Sequence, residues 1–188
     1  MRSPLIKAFL LAAWVSTHAT PGLAQSFAEE DRDWGVVPQE RIRAAPYTAP
    51  TPTGIPGAKV IATRELRSLL EAAAGSGPND RPVLVDVASG EGHATLPGAI
   101  WIPGAGRGTS FVDPLQAQCI DLMSKITGGD KSRAVVFFCV NVQCWLSYNA
   151  ALRAVAAGYT RVSWYRGGIA SWRDAGLPLA TITPAAGP

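Results

Sequence analysis

The reading of this chain turns on Ala134-Val135-Val136-Phe137-Phe138-Cys139-Val140-Asn141-Val142-Gln143-Cys144-Trp145. The first five residues are β-branched or aromatic and uncharged, and the run is too short for an ordinary helix. It reads as a strand buried on both faces. A cysteine-bracketed loop follows. Leu146, Asn149, Ala150, Leu152, Arg153, Val155 and Ala156 then form a helical stripe that stops at Gly158. Arg161–Tyr165 is the next strand. Gly167-Gly168 turns the chain into a short helix, Ile169–Ala175, closed by Gly176 and Pro178. Cys139 therefore ends a buried strand and faces the start of a helix. Unpaired N–H groups and partial positive charge gather at a helix start and favour an anion. A thiolate is such an anion, and this placement lowers a cysteine pKa below its free value of about 8.5. The competing reading is an inert core cysteine, since cysteine is buried readily.

Outward from this stretch, strands and helices alternate. Val60-Ile61 and Val83–Val87 read as strands, and Ala99–Ile102 as another. Thr63 is placed to cap a helix over Arg64–Ala74, whose apolar face is Leu66, Leu69, Leu70 and Ala73. Asp113–Ile126 carries Leu115, Cys119, Leu122, Met123 and Ile126 at helical spacing and ends at Gly128-Gly129. This alternation predicts an α/β fold with a mostly parallel central sheet and helices on both faces. Ligands of such sheets sit beyond the carboxyl ends of the strands, where Cys139 falls. Pro46–Pro56 holds four prolines in eleven residues. It forms no regular helix, and either lies extended over the domain or serves as a disordered linker.

The chain has 188 residues, which suits one domain with a real core. Arg2 and Lys7 precede a short apolar run, Ala8–Val15, and Pro21-Gly22-Leu23-Ala24 offers small residues before a cut after Ala24. This predicts a cleaved signal peptide over residues 1–24 and a periplasmic protein. The apolar run is much shorter than the ~20 residues a membrane-spanning helix needs, so no membrane association is expected after cleavage. Cleavage removes Arg2 and Lys7 and lowers the net charge of +3 accordingly. So balanced a charge argues against nucleic acid or an anionic membrane as partner. Residues 25–58 are read as an N-terminal arm with a Pro-rich linker, 59–180 as the domain and 181–188 as a tail.

The cysteines are Cys119, Cys139 and Cys144. In an oxidising compartment an odd number leaves at least one free or paired between molecules. Cys119 follows the core phase of its helix. Cys139 and Cys144 can bridge only if their Cα atoms lie within about 7 Å. A tightly curled loop satisfies this and a wide one does not; in the latter case Cys144 packs under the helix. His93 is the only histidine beyond residue 24, so no spaced Cys/His set of zinc type is available and no metal is expected. Gly104-Ala105-Gly106-Arg107-Gly108 lacks the lysine and Ser/Thr of a P-loop and reads as a connection.

Asp86-Val87 after Val83–Val85, then His93 and Leu96-Pro97-Gly98-Ala99-Ile100, is similar to the first signature of the rhodanese-like domain, the sulfurtransferase fold. Val136-Phe137-Phe138-Cys139, Gly158-Tyr159, Arg161-Val162 and Gly167-Gly168-Ile169 through Trp172 resemble its second half. The resemblance covers roughly Lys59–Leu179. More narrowly, Tyr47-Thr48-Ala49-Pro50, Ile55-Pro56-Gly57-Ala58, Pro97-Gly98-Ala99 and Cys144-Trp145-Leu146-Ser147-Tyr148-Asn149-Ala150-Ala151 resemble secreted proteins named for a CxxCW motif. That group is associated with pyrroloquinoline-quinone-dependent catabolism. Four residues separate the cysteines here, where the motif has two.

The resemblance implies a single rhodanese-like domain in which Cys139 takes a sulfane sulfur as a persulfide and passes it to a thiol acceptor. It implies a loop of Val140, Asn141, Val142, Gln143, Cys144 and Trp145 whose N–H groups cradle the sulfur, with no cofactor required. Rhodaneses usually carry a glycine and a basic residue in this loop; here there is neither, and Cys144 stands where the basic residue is expected. Cys144 is thus a candidate redox partner. Asp86, His93 and Arg107 are candidates to border the cleft, and Trp145 is placed to flank it, where a flat quinone would stack. The alternative implied function is an accessory, thiol-redox or binding protein for quinone-dependent alcohol oxidation, with a periplasmic quinoprotein dehydrogenase as partner. A third is an inactive interaction module.

Overall fold

The computed structural model describes residues 27–77 and 79–185; the segment read as a signal peptide lies outside them. In chain order the elements are β1 (Lys59–Ile61), α1 (Thr63–Ala72), β2 (Val83–Asp86), β3 (Ala94–Thr95), β4 (Ile100–Trp101), α2 (Pro114–Thr127), β5 (Val135–Phe138), α3 (Trp145–Ala156), β6 (Val162–Tyr165), α4 (Gly168–Asp174) and β7 (Ala180–Thr181). The main sheet has the order β1-β6-β5-β2-β4, and all four pairings are parallel. β3 and β7 form a separate two-stranded antiparallel ribbon. These two-residue strands have no alternation long enough to be seen in sequence.

The period of two along each strand splits the core into two layers. Val83, Val85, Val135, Phe137, Val162 and Trp164 point to one side and pack with Cys119 and Met123 of α2 and with Trp145, Tyr148 and Leu152 of α3. Leu84, Val136, Phe138 and Tyr165 point to the other, with Leu66 of α1 and Ile169 and Trp172 of α4. Helices thus cover both faces, and the strands are apolar throughout because neither face sees water.

The helix ends follow local chemistry, with one correction. Asp113 caps α2, accepting from the Gln116 N–H at 3.0 Å, and Pro114 opens the helix. Gly128 closes α2 at φ +66°, a left-handed conformation that glycine adopts without strain. Thr63, however, does not cap α1. Ala62 holds that position without a side-chain bond. The Thr63 hydroxyl instead meets Glu30 Oε2 and Tyr165 Oη, both at 2.6 Å. A buried carboxylate from the distant arm outcompetes the local cap.

Candidate functional site

Cys139 follows the last residue of β5, at the carboxyl edge of the parallel sheet, and Cys144 immediately precedes α3. The two are joined by a disulfide with a Cα–Cα distance of 6.1 Å. The loop between them is the tightly curled one. The Asn141 carbonyl accepts from the Cys144 N–H at 3.1 Å, and the Asn141 side-chain oxygen accepts from the Gln143 N–H at 2.9 Å. Asparagine makes such local turns readily, and here it supplies the curl that residue spacing alone leaves undetermined. Both cysteines are buried, Cys139 2% and Cys144 8% exposed, beneath exposed Val140, Asn141 and Gln143.

The sulfur-facing cradle is narrower than the sequence reading. The N–H groups of Gln143 and Cys144 are committed within the loop, and that of Trp145 donates to the Tyr47 carbonyl at 2.8 Å. On the other side α4 holds the loop: Ile169 N–H donates to the Cys139 carbonyl at 3.0 Å and Ala170 N–H to that of Val140 at 2.9 Å. This contact needs Gly168. A Cβ there would lie 2.2 Å from the Cys139 oxygen, and φ is +60°.

The N-terminal arm is the third wall, laid extended over the loop. Thr48 and Cys144 form an antiparallel bridge, and Ala49 N–H donates to the Gln143 carbonyl at 2.9 Å. Thr51 Oγ1 donates to the Val142 carbonyl at 2.5 Å. Arg166, 2% exposed, anchors this arm: it donates to the carbonyls of Glu30, Arg32 and Thr51 and to Thr51 Oγ1. Trp34 packs 5.0 Å from its guanidinium carbon. The first turns of α3 stitch the same arm. Trp145 Nε1 donates to the Pro50 carbonyl, the Tyr148 hydroxyl binds the Gln39 backbone, and buried Asn149 binds both backbone groups of Arg43 and the Gly106 carbonyl. Burial and a bond to Gln39 act oppositely on Tyr148, and burial wins, raising its pKa.

Trp145 therefore does not flank an open cleft. It is fully buried, with the Arg43 guanidinium 4.7 Å above its ring and Tyr148 packed at 4.9 Å. The indole offers no face to a quinone. Asp86 is likewise not a cleft residue. It is fully buried and accepts from Ala88 N–H and Thr95 Oγ1, and its Oδ2 lies 2.7 Å from His93 Nε2. The His93 ring meets Trp101 edge-on at 4.5 Å, so the pair ties β2 to β3 and β4. Arg107 is exposed, and its carbonyl accepts from Arg153 at 2.6 Å. Its loop rests on the first turn of α3, where a Cβ on Gly106 would lie 1.9 Å from the Leu146 carbonyl oxygen. Cys119 is buried and bonded to the Ala105 carbonyl, and burial pushes its thiol pKa up. Among the described residues no cluster of potential metal ligands occurs, and no helix is long and apolar enough to cross a membrane.

Comparison with known proteins gives the class. The family model of the rhodanese-like domain matches residues 63–175, and the chain belongs to that family. Similar solved structures include a Rhodopseudomonas palustris protein described as of unknown function and a possible tyrosine phosphatase. It is 24% identical over 65% of this chain and 85% of that one, with a TM-score of 0.47. The rhodanese-like domain of an Anabaena sp. protein is 23% identical over 68% and 86%, with a TM-score of 0.46. A thiosulfate sulfurtransferase from Pseudomonas aeruginosa is 21% identical over 65% of this chain, at a TM-score of 0.45, and the match spans 20% of that protein. No curated protein matches the chain.

Proposed function

We propose that this protein is a sulfurtransferase-type member of the rhodanese-like family whose nucleophile is Cys139, active once the Cys139–Cys144 bridge is reduced. The observation that carries this reading is the position of Cys139: the end of a central parallel strand, opposite a helix start, where a ligand of such a sheet belongs. A thiolate there attacks the outer sulfur of a sulfane donor. The bond from that sulfur to the rest of the donor breaks, its electron pair leaves with the donor, and Cys139 keeps the sulfur as a persulfide. The chemistry asks for no cofactor, and its small-molecule partners are a sulfur donor and a thiol acceptor. The leader-like sequence of residues 1–24 supports a periplasmic location, and an oxidising compartment suits a closed disulfide.

The test uses the reduced protein, freed of reductant, with thiosulfate and with an aromatic thiosulfonate. Cleavage of either donor releases sulfite or sulfinate, expected at about one equivalent per chain and absent in Cys139→Ser. No release from the wild-type protein with either donor would end this reading. A second reading is favoured by the bridge itself. The pair serves thiol–disulfide exchange for a pyrroloquinoline-quinone-dependent alcohol dehydrogenase, without sulfur transfer. It is supported instead if donors are untouched while the oxidised protein accepts electrons from dithiols.

A further inference from the structure

We infer that Cys144 is a resolving thiol, so that the site reduces a sulfane sulfur to sulfide and does not hand it intact to an outside acceptor. This rests on the persulfide reading of Cys139 and adds a fate for the sulfur. The Cys139 carbonyl is fixed by the Ile169 N–H, the Cys144 N–H by the Asn141 carbonyl, and Cys144 is paired to Thr48 of the arm. None of these bonds involves sulfur. The backbone that sets the Cα–Cα distance of 6.1 Å is thus held by bonds that survive reduction, and the two thiols stay facing one another. A nucleophile held this way acts at an effective concentration that a free thiol in solution does not approach.

The steps balance. The Cys139 thiolate takes the sulfane sulfur of thiosulfate and sulfite leaves. Cys144, deprotonated, attacks the inner sulfur of the persulfide, which is the Cys139 Sγ. The bond from Cys139 Sγ to the sulfane sulfur breaks and its electron pair departs with that sulfur as hydrosulfide. The Cys139–Cys144 disulfide forms. Two protein thiols are oxidised and one sulfane sulfur is reduced by two electrons; the second thiol proton goes to solvent. An external dithiol then returns the bridge to two thiols and is itself oxidised to a disulfide. The bridged form described above is the product of this cycle. The thiol that closes it occupies the loop position where a basic residue, suited to holding an anionic donor, is expected from the family resemblance.

The experiment follows the sulfur through a single turnover of the reduced full chain with thiosulfate or the thiosulfonate. Neither leaving group is sulfide, so any sulfide trapped comes from the transferred atom. Sulfide at about one equivalent, with loss of both thiols of the pair and a peptide mass locating the bridge, is the expected result. In Cys144→Ser the leaving group is still released, sulfide is not, and an adduct of about 32 Da remains on Cys139. The inference is overturned if the wild-type protein retains that adduct with Cys144 reduced and releases no sulfide. That outcome leaves the sulfurtransferase reading standing. Absence of sulfite and sulfinate altogether removes both. The wild-type measurement decides the matter even if the serine variant folds poorly.

Discussion

Position 168 tolerates only glycine, and the reason lies in the loop it supports. Its backbone sits at φ +60°, and an added Cβ would meet the Cys139 oxygen at 2.2 Å and the Asn141 nitrogen at 3.2 Å. Both are backbone atoms and neither swings aside as a side-chain tip would. Gly168→Ala is therefore expected to cost more than about 1 kcal/mol in stability and to push Cys139 away from Cys144. Denaturant melts would report the first effect. Slower reclosure of the bridge after reduction, followed by thiol titration, would report the second; unchanged reclosure would show that the loop does not lean on α4. At this scale the sequence named both cysteines and left their pairing open. Four intervening residues do not fix a Cα distance. The Asn141 turn and the Thr48 bridge do, and the second comes from the distant arm, a segment with no periodic pattern.

The arm and the helices meet at Arg166, which is buried and donates only to the arm in its hydrogen bonds. Removing the guanidinium leaves three arm carbonyls without their donor. Arg166→Ala should free residues 27–51 while the sheet stays folded. Limited proteolysis within that segment is expected to speed up by about ten-fold, with faster reduction of the bridge by dithiothreitol. Equal rates for variant and wild-type protein would mean that the arm is held by its contacts with α3, the cysteine loop and Thr63. The strands and helices of the domain were legible because burial on both faces writes apolar runs, and helical phase writes stripes. The arm was legible as non-helical and, on one of two readings, as extended over the domain; its partners were not. Many of its contacts are backbone carbonyls that accept from Arg166, Tyr148 and Trp145, and such contacts leave no mark on the arm's own composition. The same partners explain why Trp145, read from the sequence as flanking the cleft, is buried under the arm.

Across the whole molecule, one ion pair links α2, α3 and the connection between β4 and α2. Arg153 is 2% exposed and donates to Asp113 at 2.8 Å, to the carbonyls of Arg107 and Ser110, and to the Gln116 side chain. Burial would raise the Asp113 pKa, but the Arg153 bond and the N–H groups of Thr109 and Ser110 prevail and hold it at about 2, below its ordinary 3.8. Because the folded value is the lower one, the carboxylate stabilises the fold fully above about pH 4 and loses that contribution as pH falls through 2. Asp113→Asn, which keeps a good cap, is expected to cost about 1–3 kcal/mol at neutral pH from the broken, partly buried ion pair. The gap between variant and wild-type protein should shrink from pH 4 to pH 2 in urea melts. A constant gap would mean that the carboxylate's charge carries none of the effect.

The stretch that marks the family, residues 63–175, begins after the arm and after β1. Yet the hydrogen bonds that roof the cysteine pair come from Tyr47, Thr48, Ala49 and Thr51. The boundary drawn by common ancestry is thus not the boundary of the working unit. The recognisable core belongs to the rhodanese-like family, while the segment ahead of it covers the cysteine pair. Relatives that keep the core and replace this lead-in would share the architecture and differ in what they let in.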